Sequence, residues 1–532
     1  MNETQEIHNV QVEETSVTSS LSRLHREHEV ADNGTEFPGE KFKLVVPWFH
    51  KLYLVLFSII LAGLSVTVPT FFDFASPLQM QGLYMGQAFL NGQVPYADLF
   101  ASGGILYYAA LALATFLGSS MWLIFLEFVF YFISGIYFFK LVYFLTNRVE
   151  TAAAFTPVFY LLNFGLGLGG LYAIQWANAF VLMGLWLLLT YFMGFRKDEW
   201  FIAYGFVAAV AIFIDVRTLV FWVLAFLVLS LHNIAKKRWK RGFYQNLCIL
   251  WGLIIVIFTV GYFALNLQLI KPYIEQTIVY GLTHFTVDNQ NLTYGLGAQL
   301  VLLLGSGLAY GIIFFFGHLG DDKELQSFKW LLLLTSLVYA VMAVLSQTFQ
   351  TYPLLILLPF GLILTALATN HGYDKKLRKS EKVFEEPISR DIWGFFIKRH
   401  IFLPFLVVIA GVGLATYRYV THLGLDSERS VIAQYIEENS STSDKIYVWD
   451  TSTALYLETG RLSATQFVLP VEGTSSTTNQ QLLEDQLLQN SATFIVVNKS
   501  LSLPATVQAN LDSHYEEIVS ESVSHFKIYH LN

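Results

Sequence analysis

Apolar windows of 15 to 25 residues recur near 52–71, 104–118, 121–145, 152–169, 172–195, 199–216, 218–232, 245–266, 296–317, 330–347, 353–369 and 400–421, separated by polar or glycine-rich breaks. A helix needs about 20 apolar residues to cross roughly 30 Å of hydrocarbon, so the pattern predicts an α-helical polytopic membrane protein with about 11–13 transmembrane helices. Beyond these windows the period changes. Residues 422–532 alternate a helical pattern in "SVIAQYIEEN", a strand in "KIYVWD", a second helix, and further strands in "ATFIVVNKS" and "HFKIYHLN", which predicts a small α/β domain.

Positive charge orients the helices. Lys41, Lys43 and Lys51, Arg196 and Lys197, the run Lys236 to Arg241, and the stretch from Lys375 through Lys382 to Arg399 are expected on the cytoplasmic side. A full crossing by 104–118 would export most of these clusters, so that window is expected to lie in, or dip into, the outer interface. Eleven crossings then lead from a cytoplasmic N-terminus to an extracytoplasmic C-terminal domain in the cell membrane. Residues 1–48, with nine acidic and four basic residues and no apolar period, are expected to be a disordered cytoplasmic tail. The first apolar run begins near 52 and is expected to serve as an uncleaved anchor.

Composition agrees, at 54% hydrophobic and 14% charged residues with a mean hydropathy of +0.50, and excludes an ordinary soluble domain. The C-terminal region holds fourteen acidic against five basic residues, which argues against nucleic acid as a partner. The lone Cys248 falls in an apolar window, so disulfides and cysteine metal sites are out of reach.

Candidate chemistry starts in "FFDFASPLQMQGLYMGQAFLNGQVPYADLFASGGILYYAA", residues 71–110. It places Asp73 at the outer end of the first helix and Asp98 in the first external loop, 72–103. A carboxylate at that depth can act on a lipid whose phosphate lies in the same plane, although a capping or solvated Asp has the same spelling. In "AIFIDVRTLVFW", Asp215 and Arg217 interrupt two apolar segments. An ionisable residue inside a membrane segment is a functional candidate by default, and the alternative is a pair that merely neutralises itself. A guanidinium grips two phosphate oxygens at once, which makes Arg217 the candidate donor-phosphate ligand with Asp215 beside it.

The order of an acidic residue after the first helix, the Tyr and glycine turn of "GLYMGQAFLNGQVPYADLF", a small-residue turn and an apolar run resembles GT-C-type membrane glycosyltransferases. Among these it is most similar to the bacterial relatives of protein O-mannosyltransferases and of lipid A aminoarabinose transferases. "SQTFQTYPLLILLPF" at 346–360 resembles their late loop, and the resemblance covers most of residues 50–532. It implies a transmembrane catalytic domain over 49–421 that transfers a sugar from a polyprenyl-phosphate donor to a surface glycan, teichoic acid, lipid or protein. Transfer inverts the sugar, with Asp73 as base. The chain departs from the family at Asp73-Phe74, where an Asp-Glu pair is common, and at Ser102-Gly103-Gly104-Ile105, where a Lys-Pro-Pro turn is common. It also has Gln347, Gln350 and Thr351 where Arg and His are usual, so the phosphate must be held from elsewhere.

The remaining candidates are positional. Tyr96 and Asp98 are expected to place the acceptor or brace the loop. Gln175 and Asn178 beside Trp176, His284 and Asp288 in the loop 267–295, and Gln350 with Tyr352 are expected to meet sugar or acceptor hydroxyls, and amides in such places also glue helices together. No residue set has metal-ligand spacing, and a divalent metal near the two Asp residues is the one cofactor the pattern leaves room for. Two other classes share the hydropathy pattern: a polysaccharide polymerase or ligase, and a lipid-linked sugar transporter or flippase. The first usually places its long loop late and lacks an external α/β tail, and the second is expected to carry internal repeats, of which none is apparent.

Overall fold

In the computed structural model the described residues are 44–283, 292–318, 325–346, 349–381, 402–470, 473–474, 476–519 and 522–532. Seven helices among them are long and apolar enough to cross a membrane, or eight when a pair bent by 74° between Gly305 and Leu308 is counted as one span. The bend falls at Gly307, whose φ of +75° breaks the helix. The chain is a multi-pass membrane protein. The helix predicted to stop short of crossing, Ile105–Phe116, has 12 residues and packs along Pro77–Leu90. His284, Asp288 and the tail before residue 44 lie outside the described residues.

Local chemistry sets the element that matters most for the site. After the helix Trp48–Gly63 the chain makes a 3-10 turn, Pro69–Phe74, which carries Asp73. Ser76 then caps Pro77–Leu90 in a reciprocal capping box with Gln79, and Pro77 fits the first helical position, where no amide hydrogen is needed. The Gln79 amide nitrogen also donates to the carbonyls of Leu168, at 3.0 Å, and Gly170, at 2.7 Å, tying the loop to a second outer turn. That second turn is pinned from below by Glu127. This fully buried carboxylate in the helix Met121–Thr146 accepts the Leu171 amide hydrogen, at a point where Gly169, Gly170 and Leu171 all have positive φ.

The last helix, Phe402–Asn439, runs 38 residues without a break and leads directly into the α/β region. There β1 (Lys445–Trp449), β2 (Leu462–Ser463), β3 (Phe494–Asn498), β4 (Tyr515–Ile518) and β5 (Phe526–Leu531) form one sheet in the order β2-β1-β3-β5-β4. β1 is parallel to β2 and β3, with Ile446 opposite Phe494. β5 is antiparallel to β3 and β4, with Ile528 opposite both Val496 and Ile518. The strands read in "KIYVWD", "ATFIVVNKS" and "HFKIYHLN" fall on β1, β3 and β5.

Two devices join sheet, helix and first loop. Arg429 on the long helix is 1% exposed and donates from Nε to Asp450 Oδ2 at 2.8 Å, while Asn498 donates to Asp450 Oδ1 at 2.8 Å. Asp450 follows β1 and Asn498 ends β3, so one arginine gathers the carboxyl ends of two parallel strands. From the other side, Phe100 of the first loop enters the hydrophobic core of the sheet region, stacking on Phe467 at 5.3 Å, and its amide donates to the Gln466 carbonyl at 2.8 Å. Tyr84 and Gln93 extend the seam: the Ser463 amide donates to the Tyr84 hydroxyl at 2.8 Å, and the Gln93 amide donates to the Ser463 carbonyl at 2.8 Å.

Removing one member of a buried ion pair leaves the other charge without a partner, so Arg429→Ala is expected to cost about 3–5 kcal/mol. Thermal unfolding of detergent-solubilised protein measures it. Arg429→Met combined with Asp450→Leu should recover most of the loss, because no charge is then stranded.

Candidate functional site

Asp73 lies exposed on its 3-10 turn and is oriented by its neighbours. Phe74 stacks on Tyr419 of the last helix with ring centroids 4.7 Å apart, and the Ser76 hydroxyl meets the Tyr172 hydroxyl at 3.1 Å. Tyr172 in turn stacks on Tyr352 at 5.2 Å, so the first loop, the second outer turn and the late loop converge beside Asp73.

Next to Tyr419 stands Arg418. It is half-buried, its electrostatic neighbours are Tyr172 and Tyr352, and its Nε and Nη1 are buried with no hydrogen-bond partner. A buried guanidinium nitrogen without an acceptor is costly, and these two donors can take oxygens from a bound group. Across Tyr352 lies the second cation, Arg217. It is already occupied: Nε donates to Asp215 Oδ1 at 2.9 Å and Nη2 to Oδ2 at 2.6 Å. Asp215 also caps the short turn Val216–Thr218 by accepting the Arg217 amide at 3.0 Å. The Arg217 carbonyl accepts the Tyr339 hydroxyl at 3.1 Å.

The other candidates fall in three places. Tyr96, 1% exposed with a φ of +72°, donates its hydroxyl to the Gly103 carbonyl at 2.8 Å and meets Tyr273 edge to face, which braces the loop. Asp98 accepts the Val94 amide at 2.7 Å. Gln175 caps its own helix, taking the Tyr172 amide at 3.4 Å and reaching the carbonyls of Asn163 and Gly167, and Asn178 donates to the Leu355 carbonyl at 3.0 Å. The Gln350 carbonyl accepts from Gln299 at 2.7 Å. The structure therefore links Arg418, Tyr172, Tyr352 and the pair Asp215–Arg217, with Asp73 on the turn that Phe74 packs against Tyr419, whereas Gln175 and Asn178 bond to backbone groups. Among the described residues no three His, Cys, Asp or Glu side chains converge to hold a metal ion.

The comparisons bear on this geometry. Residues 39–423 match the family model described as the competence-induced protein Ccs4 N-terminal domain, and residues 426–532 match that of the Ccs4 C-terminal domain. The chain belongs to the Ccs4 family. No curated protein matches it by sequence. Among solved structures it is similar to ArnT from Cupriavidus metallidurans bound to undecaprenyl phosphate, with a TM-score of 0.54 at 12% identity, covering 90% of this chain and 97% of that one. The apo state of the same ArnT aligns over the same shares with a TM-score of 0.46. The arabinofuranosyltransferase AftD from Mycobacteria aligns over 92% of this chain and 42% of its own, at 13% identity and a TM-score of 0.43. The fold of this Ccs4 family member is that of the GT-C-type membrane glycosyltransferases.

Sequence reasoning passed over two residues. Arg418 interrupts the apolar window 400–421 in the same way that Arg217 interrupts its own, so the rule that singled out one would have found the other. Glu458, on the short helix Ala454–Thr459, lies close enough to feel the charge of Asp73. Desolvation raises its carboxyl above the ordinary range, a Ser430 hydrogen bond opposes the shift, and the charges of Asp426 and Asp73 add to it. Nothing in the local spelling "LYLETG" marks it, because its neighbour is almost four hundred positions away.

Arg217→Gln strands Asp215, which is 5% exposed, and is expected to destabilise the protein by roughly 1–3 kcal/mol. The thermal midpoint reports the loss. Asp215→Asn in the same chain should restore part of it.

Proposed function

We propose that this protein transfers a sugar from a polyprenyl-phosphate donor to a cell-surface acceptor on the outer face of the membrane, inverting the sugar as it does so. The observation that carries the reading is the pair of unpartnered Arg418 nitrogens in a GT-C fold, next in sequence to Tyr419, on which Phe74 of the Asp73 turn stacks. A lipid phosphate supplies the acceptor oxygens that Arg418 lacks, and a charge-assisted bond of this kind contributes roughly 1.5–3 kcal/mol. Arg217 is the second cation on the donor side, its charge partly spent on Asp215, and the hydroxyl of Tyr352 lies between the two.

The step balances with one base. Asp73 takes the proton of an acceptor hydroxyl, the hydroxyl oxygen forms a bond to the anomeric carbon, and the bond from that carbon to the phosphate oxygen breaks on the opposite face. The bonding pair leaves with the polyprenyl phosphate, whose growing charge Arg418 meets. Tyr96 and Asp98 position the acceptor side of the loop, and Gln350 and the loop holding His284 and Asp288 contribute sugar contacts.

Purified protein supplied with radiolabelled undecaprenyl-phosphate sugar and a membrane-envelope acceptor fraction tests the reading. Asp73→Asn keeps the shape but cannot accept the proton at neutral pH, so turnover should fall about a hundredfold with donor binding retained. Arg418→Gln should instead weaken undecaprenyl phosphate binding by about tenfold or more. Near-normal turnover in Asp73→Asn would remove the base, and unchanged lipid affinity in Arg418→Gln would remove the phosphate site.

Eleven crossings from a cytoplasmic N-terminus place the basic clusters inside and the region from about 422 onward outside. Protease added to intact cells should then remove that region. A C-terminal reporter active only in the cytoplasm would reverse the orientation and put Asp73 on the wrong face.

A further inference from the structure

Beyond the C-terminal end of the helix Pro77–Leu90, the first loop and the sheet region border a groove of about 410 Å³. Asn91, Gln93 and Asp98 line one wall, and Lys445, Gln466 and Gln489 the other. The walls are fixed by bonds that leave most of these side-chain groups open. The Gln466 amide donates to Gln486 Oε1 at 2.8 Å while its carbonyl accepts from Phe100 at 2.8 Å, so its backbone is used and its side chain is not. Asp98 spends Oδ2 on the Val94 amide, and Gln93 is held between Tyr84 and Ser463.

The groove thus offers amide donors and acceptors on both walls with one carboxylate and one ammonium. An apolar ligand would strip these groups of water without replacing their hydrogen bonds. A polyanion would face a region with fourteen acidic and five basic residues and a single lysine in the groove. A chain of hydroxyl groups, each both donor and acceptor, satisfies the walls. We propose that this groove binds the acceptor, and that the acceptor is an uncharged, hydroxyl-rich glycan strand. The proposal rests on the glycosyl-transfer reading above and names the substrate class for it.

Binding to the purified full chain in nanodiscs is measured by calorimetry with maltohexaose, cellohexaose, chitohexaose and a mannohexaose as neutral probes, and with inorganic polyphosphate as the anionic one. At least one neutral hexasaccharide should bind, and polyphosphate should not. Gln489→Trp and Asn91→Trp fill the groove from opposite walls and should each weaken that binding at least tenfold with the unfolding midpoint unchanged. Binding of none of the neutral probes, equal binding in both tryptophan variants, or preferential binding of polyphosphate would each overturn the proposal. Undecaprenyl phosphate binding, followed separately on the unaltered protein, distinguishes the two failures: its absence removes the glycosyl-transfer reading whatever the groove binds.

Discussion

A guanidinium withdrawn from water must find oxygen partners, and the last helix of this protein carries two such groups under opposite conditions. Arg418 and Arg429 are eleven residues apart, which is about three turns, or roughly 16 Å, on nearly the same face. Arg429 is ion-paired with Asp450 and Asp426 and locks the helix to the sheet. Arg418, three turns earlier, is left with buried nitrogens that no side chain satisfies. Because the helix runs unbroken between them, the clamp at one end fixes the height and rotation of the open cation at the other. Preorganisation of this kind is what a site for a charged leaving group requires.

The first loop is held as firmly. Its turn at Asp73 is pressed against the last helix through Phe74 and Tyr419, its helix is capped by Ser76 and tied to the second outer turn through Gln79, and its far end is seated in the sheet region at Phe100. A carboxylate on a free loop would sample many positions. This one is bracketed on both sides by packed elements, and Glu127 stiffens the neighbouring turn from inside the helix bundle.

Much of this was legible in the chain. Helix windows and the strands β1, β3 and β5 follow from hydrophobic period, which burial enforces directly. The short helix Ile105–Phe116 falls on the apolar window 104–118. Partnerships were harder to read. Asp215 and Arg217 sit two apart and their pairing could be named as an alternative, but the bonds of Gln175 and Asn178 to the carbonyls of Asn163, Gly167 and Leu355 are not legible in their local spelling. Arg418 breaks an apolar window and lies within reach of the rule that finds Arg217, whereas Glu458 owes its significance to Asp73, almost four hundred positions away, which no local pattern encodes.

The family models divide the chain between 423 and 426, yet Phe100 sits within the core of the region beyond that division. Gly473, with a φ of +79°, lies so close that a β-carbon there would approach the Phe100 ring to 2.5 Å, so the sheet region is shaped around a residue it does not itself encode. The division between the two family models is therefore not a division between two separate cores. During synthesis the loop emerges about 350 residues or more before its socket, and the sheet region completes its interior only by closing over a side chain made long before it.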